Sequence, residues 1–284
     1  MLKQRVITAL VLLAILLPAL WYPSYVPFAA IALVLMAAGA WEWGRLNGLG
    51  DGVSVALGAL CVLLCGLSWA GGWLQQPLPW LWTFGGAAWV LCGAWLLRAG
   101  VEGWPRVPRA LRVVGGVLAL WLAWLAVVQA RVQGINFLMS VLTLVWAADI
   151  FAYFAGRAFG LRFTRNKLAP SISPGKSWEG VWGGMAGVLV LALAWVAGDA
   201  IWQADVPSFY TRLAQQGWGL LIVGAVFMAT MSVVGDLVES LVKRSAGVKD
   251  SSGLLPGHGG VLDRIDALLP TLPLAMMLSH FATA

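Results

Sequence analysis

The sequence predicts an all-α, polytopic integral membrane protein, a bundle of about nine transmembrane helices. Of its 284 residues, 61% are hydrophobic and 11% charged, with a mean hydropathy of +0.85. A soluble domain of this length has too little core to hide that apolar surface. Apolar runs long enough to cross a hydrocarbon layer of roughly 30 Å recur along the chain. Many of the 18 tryptophans stand near the ends of these runs, where interfacial belts form. A bilayer supplies no water to an open backbone, so the spanning elements are helices.

The first run, about 6–22, follows Met1-Leu-Lys-Gln-Arg like a secretory leader. It ends in Pro18-Ala-Leu-Trp-Tyr-Pro-Ser with no small-x-small cleavage site, and therefore reads as a retained helix. Further spans fall at about 26–43, 53–70, 80–97 and 113–130. Cys61, Cys65 and Cys92 lie within these runs with no histidine to complete a zinc site, so they read as small apolar residues. The sixth span, 137–155, carries Asp149, and a polar loop near 156–180 follows. Spans at 181–198 and 218–235 precede a second polar loop, 236–266, and a last apolar run covers 267–283. The part up to about residue 130 is mostly helical bundle. Residues 131–284 hold most of the reactive groups, and the two parts read as one structural unit with no internal repeat.

Charge fixes an orientation. With the N-terminus cytoplasmic, 16 of the 18 Lys and Arg residues fall inside and only Arg131 and Arg212 fall outside. This is a clean positive-inside pattern. It places both polar loops on the cytoplasmic side, where nucleoside triphosphates are found. The pI of 9.6 comes with no basic stripe interleaved with aromatics, which excludes a nucleic-acid partner.

Residues 236–266 hold five acids, four Lys or Arg and one of the two histidines. Charge so dense in a membrane protein calls for chemistry. Ser232, Asp236, Glu239, Ser240 and Lys243 recur at spacings of three and four and share a helical face. Taken alone, they also suit a solvated helix end. Lys249, Asp250 and the run Pro256-Gly257-His258-Gly259-Gly260 follow. These glycines permit positive φ and bring backbone N–H groups close to an anion, where a plain flexible loop is the bland alternative. Asp263 and Asp266, at i and i+3, suit either a shared hard cation or simple helix N-terminal acids. Asp149, deep in an apolar span, reads as functional because about 2.5–3.5 kcal/mol opposes its insertion. The segment Ser171-Ile-Ser-Pro-Gly-Lys-Ser-Trp-Glu-Gly adds Ser173, Lys176, Ser177, Trp178 and Glu179. Its Gly-Lys-Ser is not a Walker A loop, since Pro170 stands where a glycine is required.

The run from Ser240-Leu-Val-Lys243-Arg244 through Lys249-Asp250 to Leu255-Pro256-Gly257-His258-Gly259-Gly260-Val-Leu-Asp263-Arg264-Ile-Asp266 resembles the signature of the phosphatidate cytidylyltransferase (CDP-diacylglycerol synthase) family at every fixed position. The likeness extends to Asp149 and the SPGKSWEG segment. It implies magnesium-dependent transfer of cytidylyl from CTP to phosphatidic acid, giving CDP-diacylglycerol and pyrophosphate for phospholipid biosynthesis. A second metal or a monovalent cation beside magnesium is also compatible with it. It further implies a polar cavity open to cytoplasm and bilayer, a bacterial inner-membrane location and a homodimer.

On this reading Asp149, Asp236, Asp263 and Asp266 form the metal site. Lys176, Lys243, Arg244, Lys249 and Arg264 neutralise the phosphates, with Asp250 in the same catalytic stretch. His258 and the amides of Gly257, Gly259 and Gly260 meet pyrophosphate, while Ser173, Ser177 and Trp178 are candidate cytosine contacts. Two other classes compete with this reading, a polyprenol or phytol kinase using CTP and an ion-coupled transporter. The long signature disfavours the first. The concentration of Lys, Arg, Gly and His on one side disfavours the second. A CDP-alcohol phosphotransferase is excluded by the lack of its D-x-x-D-G-x-x-A-R motif.

Overall fold

The computed structural model describes residues 2–282, all α-helical apart from turns and two isolated bridges. In chain order the helices are α1 (Leu2–Trp21), α2 (Val26–Leu46), α3 (Asp51–Ala70), α4 (Pro79–Gly103), α5 (Arg109–Gln133) and α6 (Ile135–Phe159). They continue as α7 (Trp178–Ile201), α8 (Phe209–Gln216), α9 (Trp218–Ser245), α10 (Leu262–Ile265) and α11 (Leu268–Phe281). Most run several residues past the apolar segment that reveals them, because helix ends continue into the polar interface. Gly100, at φ 68°, interrupts α4 before a 3-10 turn at Trp104–Arg106.

Among the described residues, eight helices are long and apolar enough to cross a bilayer. The expected ninth, 267–283, is the shorter α11. Its end at residue 283 lies outside the described residues. Its 14 residues rise about 21 Å, short of the hydrocarbon thickness. Residues 269–276 are buried without a break, so this continuous apolar run is an internal helix, packed on α4, α5 and α9.

The core gathers around α5, whose residues 122–131 are all buried. Trp124 is fully enclosed and donates its indole N–H to Ala29 O at 3.1 Å. Arg131, one of the two expected outside cations, turns inward and donates to Leu20 O and Tyr22 O at 2.8 and 2.7 Å. The other, Arg212 on α8, reaches Gln133 Oε1 and Ser279 Oγ. Both therefore lie at the end of the bundle from which α6 starts, about 37 Å along that helix from the 156–180 loop.

The closest helix pair is α6 against α7. A Cβ at Gly180 or Gly184 would stand 3.0 or 2.8 Å from the carbonyl oxygens of Ala152 and Ala148. Small residues on both sides let the backbones approach, which is how helices associate where lipid tails compete for every apolar face. That approach sets Asp149 on α6 beside the loop that enters α7.

Candidate active site

The two polar loops meet at one end of the bundle. Lys176, from the first, pairs with Asp236 at 2.5 Å. Arg244, in the last turn of α9 where the second begins, donates to Ile172 O at 3.4 Å. The first loop is shaped by Glu179, whose carboxylate accepts from Phe163 N, Thr164 N and Thr164 Oγ1 at 2.7–3.0 Å. Ser177 caps α7 through Gly180 N, which accounts for a serine at the residue before the helix.

The polar stripe of α9 divides between two neighbours. Asp236 and Ser240 turn toward Lys176, with Ser240 Oγ donating to Asp236 Oδ1 at 3.3 Å. Glu239 and Lys243 turn toward Asp263 instead. Lys243 is buried between Glu239 Oε2 at 2.6 Å and Asp263 Oδ1 at 2.5 Å. The other Asp263 oxygen accepts from Ser251 N and Gly260 N and shares the single Ser251 hydroxyl proton with Glu42. Burial opposes ionisation of Asp263, but Lys243 and the Gly260 amide outweigh it and hold its carboxyl below the usual carboxylate range. Asp266 is the opposite case. Burial, reinforced by the charge of Asp236, pushes its carboxyl up to about 7.

The glycine loop is held from both sides. Gly257 and Gly259 adopt φ of 75° and 82°, the left-handed region expected of them. His258 N and Gly260 N are engaged within the loop, by Leu255 O and Asp263. Arg264 grips His258 O through Nε and Nη2 at 3.0 and 2.6 Å. His258 Nδ1 is buried with no hydrogen-bond partner among the described residues. Lys249 and Asp250 are exposed. Ser173 is half-buried, Ser177 buried and Trp178 exposed.

Two placements differ from the sequence reading. Asp149 is exposed on α6 rather than buried, within electrostatic reach of Asp236 and Lys176. Glu42 on α2, which no motif indicates, is fully buried. Its Oε1 accepts from Ser252 Oγ and Val261 N, and its Oε2 from Ser251 Oγ and Leu262 N. One carboxylate from the first part of the chain thus closes the glycine loop of the second. A lone glutamate inside an otherwise apolar run is the one signal that could have found it.

Electrostatically the site is short of cations. Asp149, Asp236, Glu239, Asp263 and Asp266 influence one another, with only Lys176 and Lys243 paired among them. Five carboxyl groups share two paired lysines, a crowding relieved either by a proton, as at Asp266, or by an oxygen-seeking divalent cation. Among the described residues, no three acid, histidine or cysteine side chains are gathered closely enough to ligate a metal ion. The donor chemistry fits such an ion; a closed ligand shell is not formed.

A family model described as the cytidylyltransferase family matches residues 3–282. The chain belongs to the cytidylyltransferase family. A phosphatidate cytidylyltransferase of Pseudomonas aeruginosa is 41% identical over 281 residues, covering 96% of this chain and 95% of its own. The Haemophilus influenzae enzyme of the same name is 38% identical, covering 96% of both. The Thermotoga maritima enzyme is 43% identical over 139 residues, 48% of this chain. In this cytidylyltransferase, Glu42 and the glycine loop interlock across the two parts of the sequence.

Proposed function

We propose that this membrane enzyme transfers cytidylyl from CTP to phosphatidate, releasing pyrophosphate. The observation that carries the reading is the meeting of Lys176, from the 156–180 loop, and Lys243, from the end of α9, over one cluster of carboxylates, in a chain whose full-length relatives bear that enzyme's name.

An oxygen of the lipid phosphate forms a bond to the α-phosphorus of CTP, and the α–β bridging P–O bond breaks with its electrons passing to pyrophosphate. The nucleophile is already an anion near neutral pH, so the barrier is chiefly repulsion between anions. Lys176, fixed by Asp236, and Lys243, fixed by Glu239 and Asp263, hold positive charge in place before substrate arrives. Arg244, Lys249 and Arg264 are exposed on the same loops and bind the outer phosphates. His258 Nδ1, buried without a hydrogen-bond partner among the described residues, is the proposed donor to the departing pyrophosphate. Asp149, Asp236 and Asp266 would hold magnesium, which screens the phosphates and aligns them when bound. Asp263 supports this set through Lys243 and the loop. The finer reading places the protein in a bacterial inner membrane, loops cytoplasmic, as a homodimer.

Pyrophosphate release by the detergent-purified protein tests this. Release is expected only when CTP, magnesium and dioleoyl phosphatidate are all present, and it disappears with EDTA. CTP consumption with an isoprenoid alcohol but not with phosphatidate would instead make the protein a lipid kinase.

A further inference from the structure

A cavity of about 540 Å³ opens between α4, α5 and α9, running along α4 and reaching Glu239 beside the carboxylate cluster. Its walls are almost wholly apolar, and Gly115, where a Cβ would meet nothing within 4 Å, leaves part of it open. Two charged groups line it. Glu239 joins it to the Lys243–Asp263 pair, so cavity and site share a wall. Arg112 lies with its guanidinium 5.6 Å from the Trp104 ring centroid. Its Nε is buried with no hydrogen-bond partner among the described residues. The rim opens outward, where Phe84, Trp95 and Leu111 are exposed.

In a bilayer an apolar cavity gains little from the hydrophobic effect, because lipid tails are as apolar as its walls. Its occupant is selected by shape and by polar groups at fixed positions. An unpartnered guanidinium donor at the edge of a hydrocarbon slot calls for an oxygen acceptor attached to a long chain. A lipid ester or phosphate oxygen satisfies it and a plain hydrocarbon does not.

We infer that this cavity holds one acyl chain of the lipid substrate and sets which chain lengths the enzyme accepts, an inference that rests on the phosphatidate reading above. In the bound state the chain runs from the shared wall at Glu239 toward the exposed rim, leaving the headgroup at the carboxylate cluster.

The walls provide a clean test. A Cβ at Gly115 meets nothing within 4 Å, so Gly115→Leu starts its side chain in open space and narrows the cavity. Gly66→Leu on α3, equally free of neighbours and outside the cavity, is the control. The ratio of kcat/KM for dioleoyl over dihexanoyl phosphatidate is expected to fall on the order of tenfold in Gly115→Leu and to hold in the control. An unchanged ratio overturns the inference.

A second readout needs no turnover. Cys92 lines the cavity and is exposed, whereas Cys61 and Cys65 are buried. Its modification by N-ethylmaleimide in the intact detergent-solubilised protein is expected to slow several-fold with dioleoyl phosphatidate and not with dihexanoyl phosphatidate. Unslowed modification overturns the acyl site. An inactive protein with protected Cys92 keeps the acyl site and removes the enzymatic reading, while an active one without protection does the reverse.

Discussion

Glu42 shows how much one side chain can hold in place. Each of its oxygens accepts one serine hydroxyl and one backbone N–H. A serine can rotate to suit a new partner; an amide N–H cannot. In Glu42→Gln the new NH₂ faces a backbone donor whichever way it turns, a mismatch worth about 1–3 kcal/mol. The variant is expected to lose several degrees of thermal midpoint and most of its turnover, because the same loop carries Ser251 and Gly260 to Asp263. Native melting and native turnover together would remove Glu42 from this role.

Asp263 gives a pH prediction. Its folded carboxyl titrates below the ordinary value, so it contributes stability above about pH 4. That contribution is lost as pH falls through the depressed value. Asp263→Asn should therefore melt lower than the parent at pH 7 and converge with it on acidification. Curves that stay parallel from pH 7 to pH 3 would show that Lys243 and the loop amides do not favour the charged form. The sequence marked Asp263 through its motif but could not say whether its oxygens faced a cation or the fold. It left Glu42 unmarked because its donors lie roughly 210 residues away, and the nearest charge in sequence, Arg45, is not its partner. Arg45 instead lies 3.7 Å from Asp51 and over the Trp41 ring.

Among elements, the α6–α7 pair sets the distance between Asp149 and Lys176. Gly184→Leu would place a side chain against the Ala148 carbonyl and spread the helices, since overpacking of about 1–3 kcal/mol has no other release. Activity should fall more than tenfold, and Ala148→Gly should not restore it, because the backbone itself is the obstacle. Recovery in the double variant would mean that side-chain contact, rather than backbone approach, governs the pair. Helix existence was legible from apolar runs. The character of α11 was not, because an unbroken apolar stretch is the same string whether it faces lipid or protein. Helix α8 escaped too. Its eight residues are too few and too polar for a span, and Tyr210 and Leu213 are buried only by tertiary packing.

Across the whole molecule, the distribution of Lys and Arg predicts which face meets the cytoplasm. Cysteines introduced at Arg165 and Asp205 should label from opposite sides with a membrane-impermeant maleimide, Arg165→Cys only in inverted vesicles and Asp205→Cys only in intact spheroplasts. Labelling of both from one side would overturn the orientation. The two exposed ends differ as their chemistry requires. One carries the acid–lysine cluster, while the other closes on itself through Arg131 and Arg212.

The grip of Glu42 on residues 251–262 also has a consequence in time. Roughly 210 residues separate the acid from its donors, which at about 5–20 residues per second is ten to forty seconds of synthesis. Throughout that interval a carboxylate waits in a nascent membrane helix, held only by water, lipid headgroups or a proton. Chains truncated before Ser251 are left in that state, and a quality-control protease should clear them faster than chains that end just after Ile265.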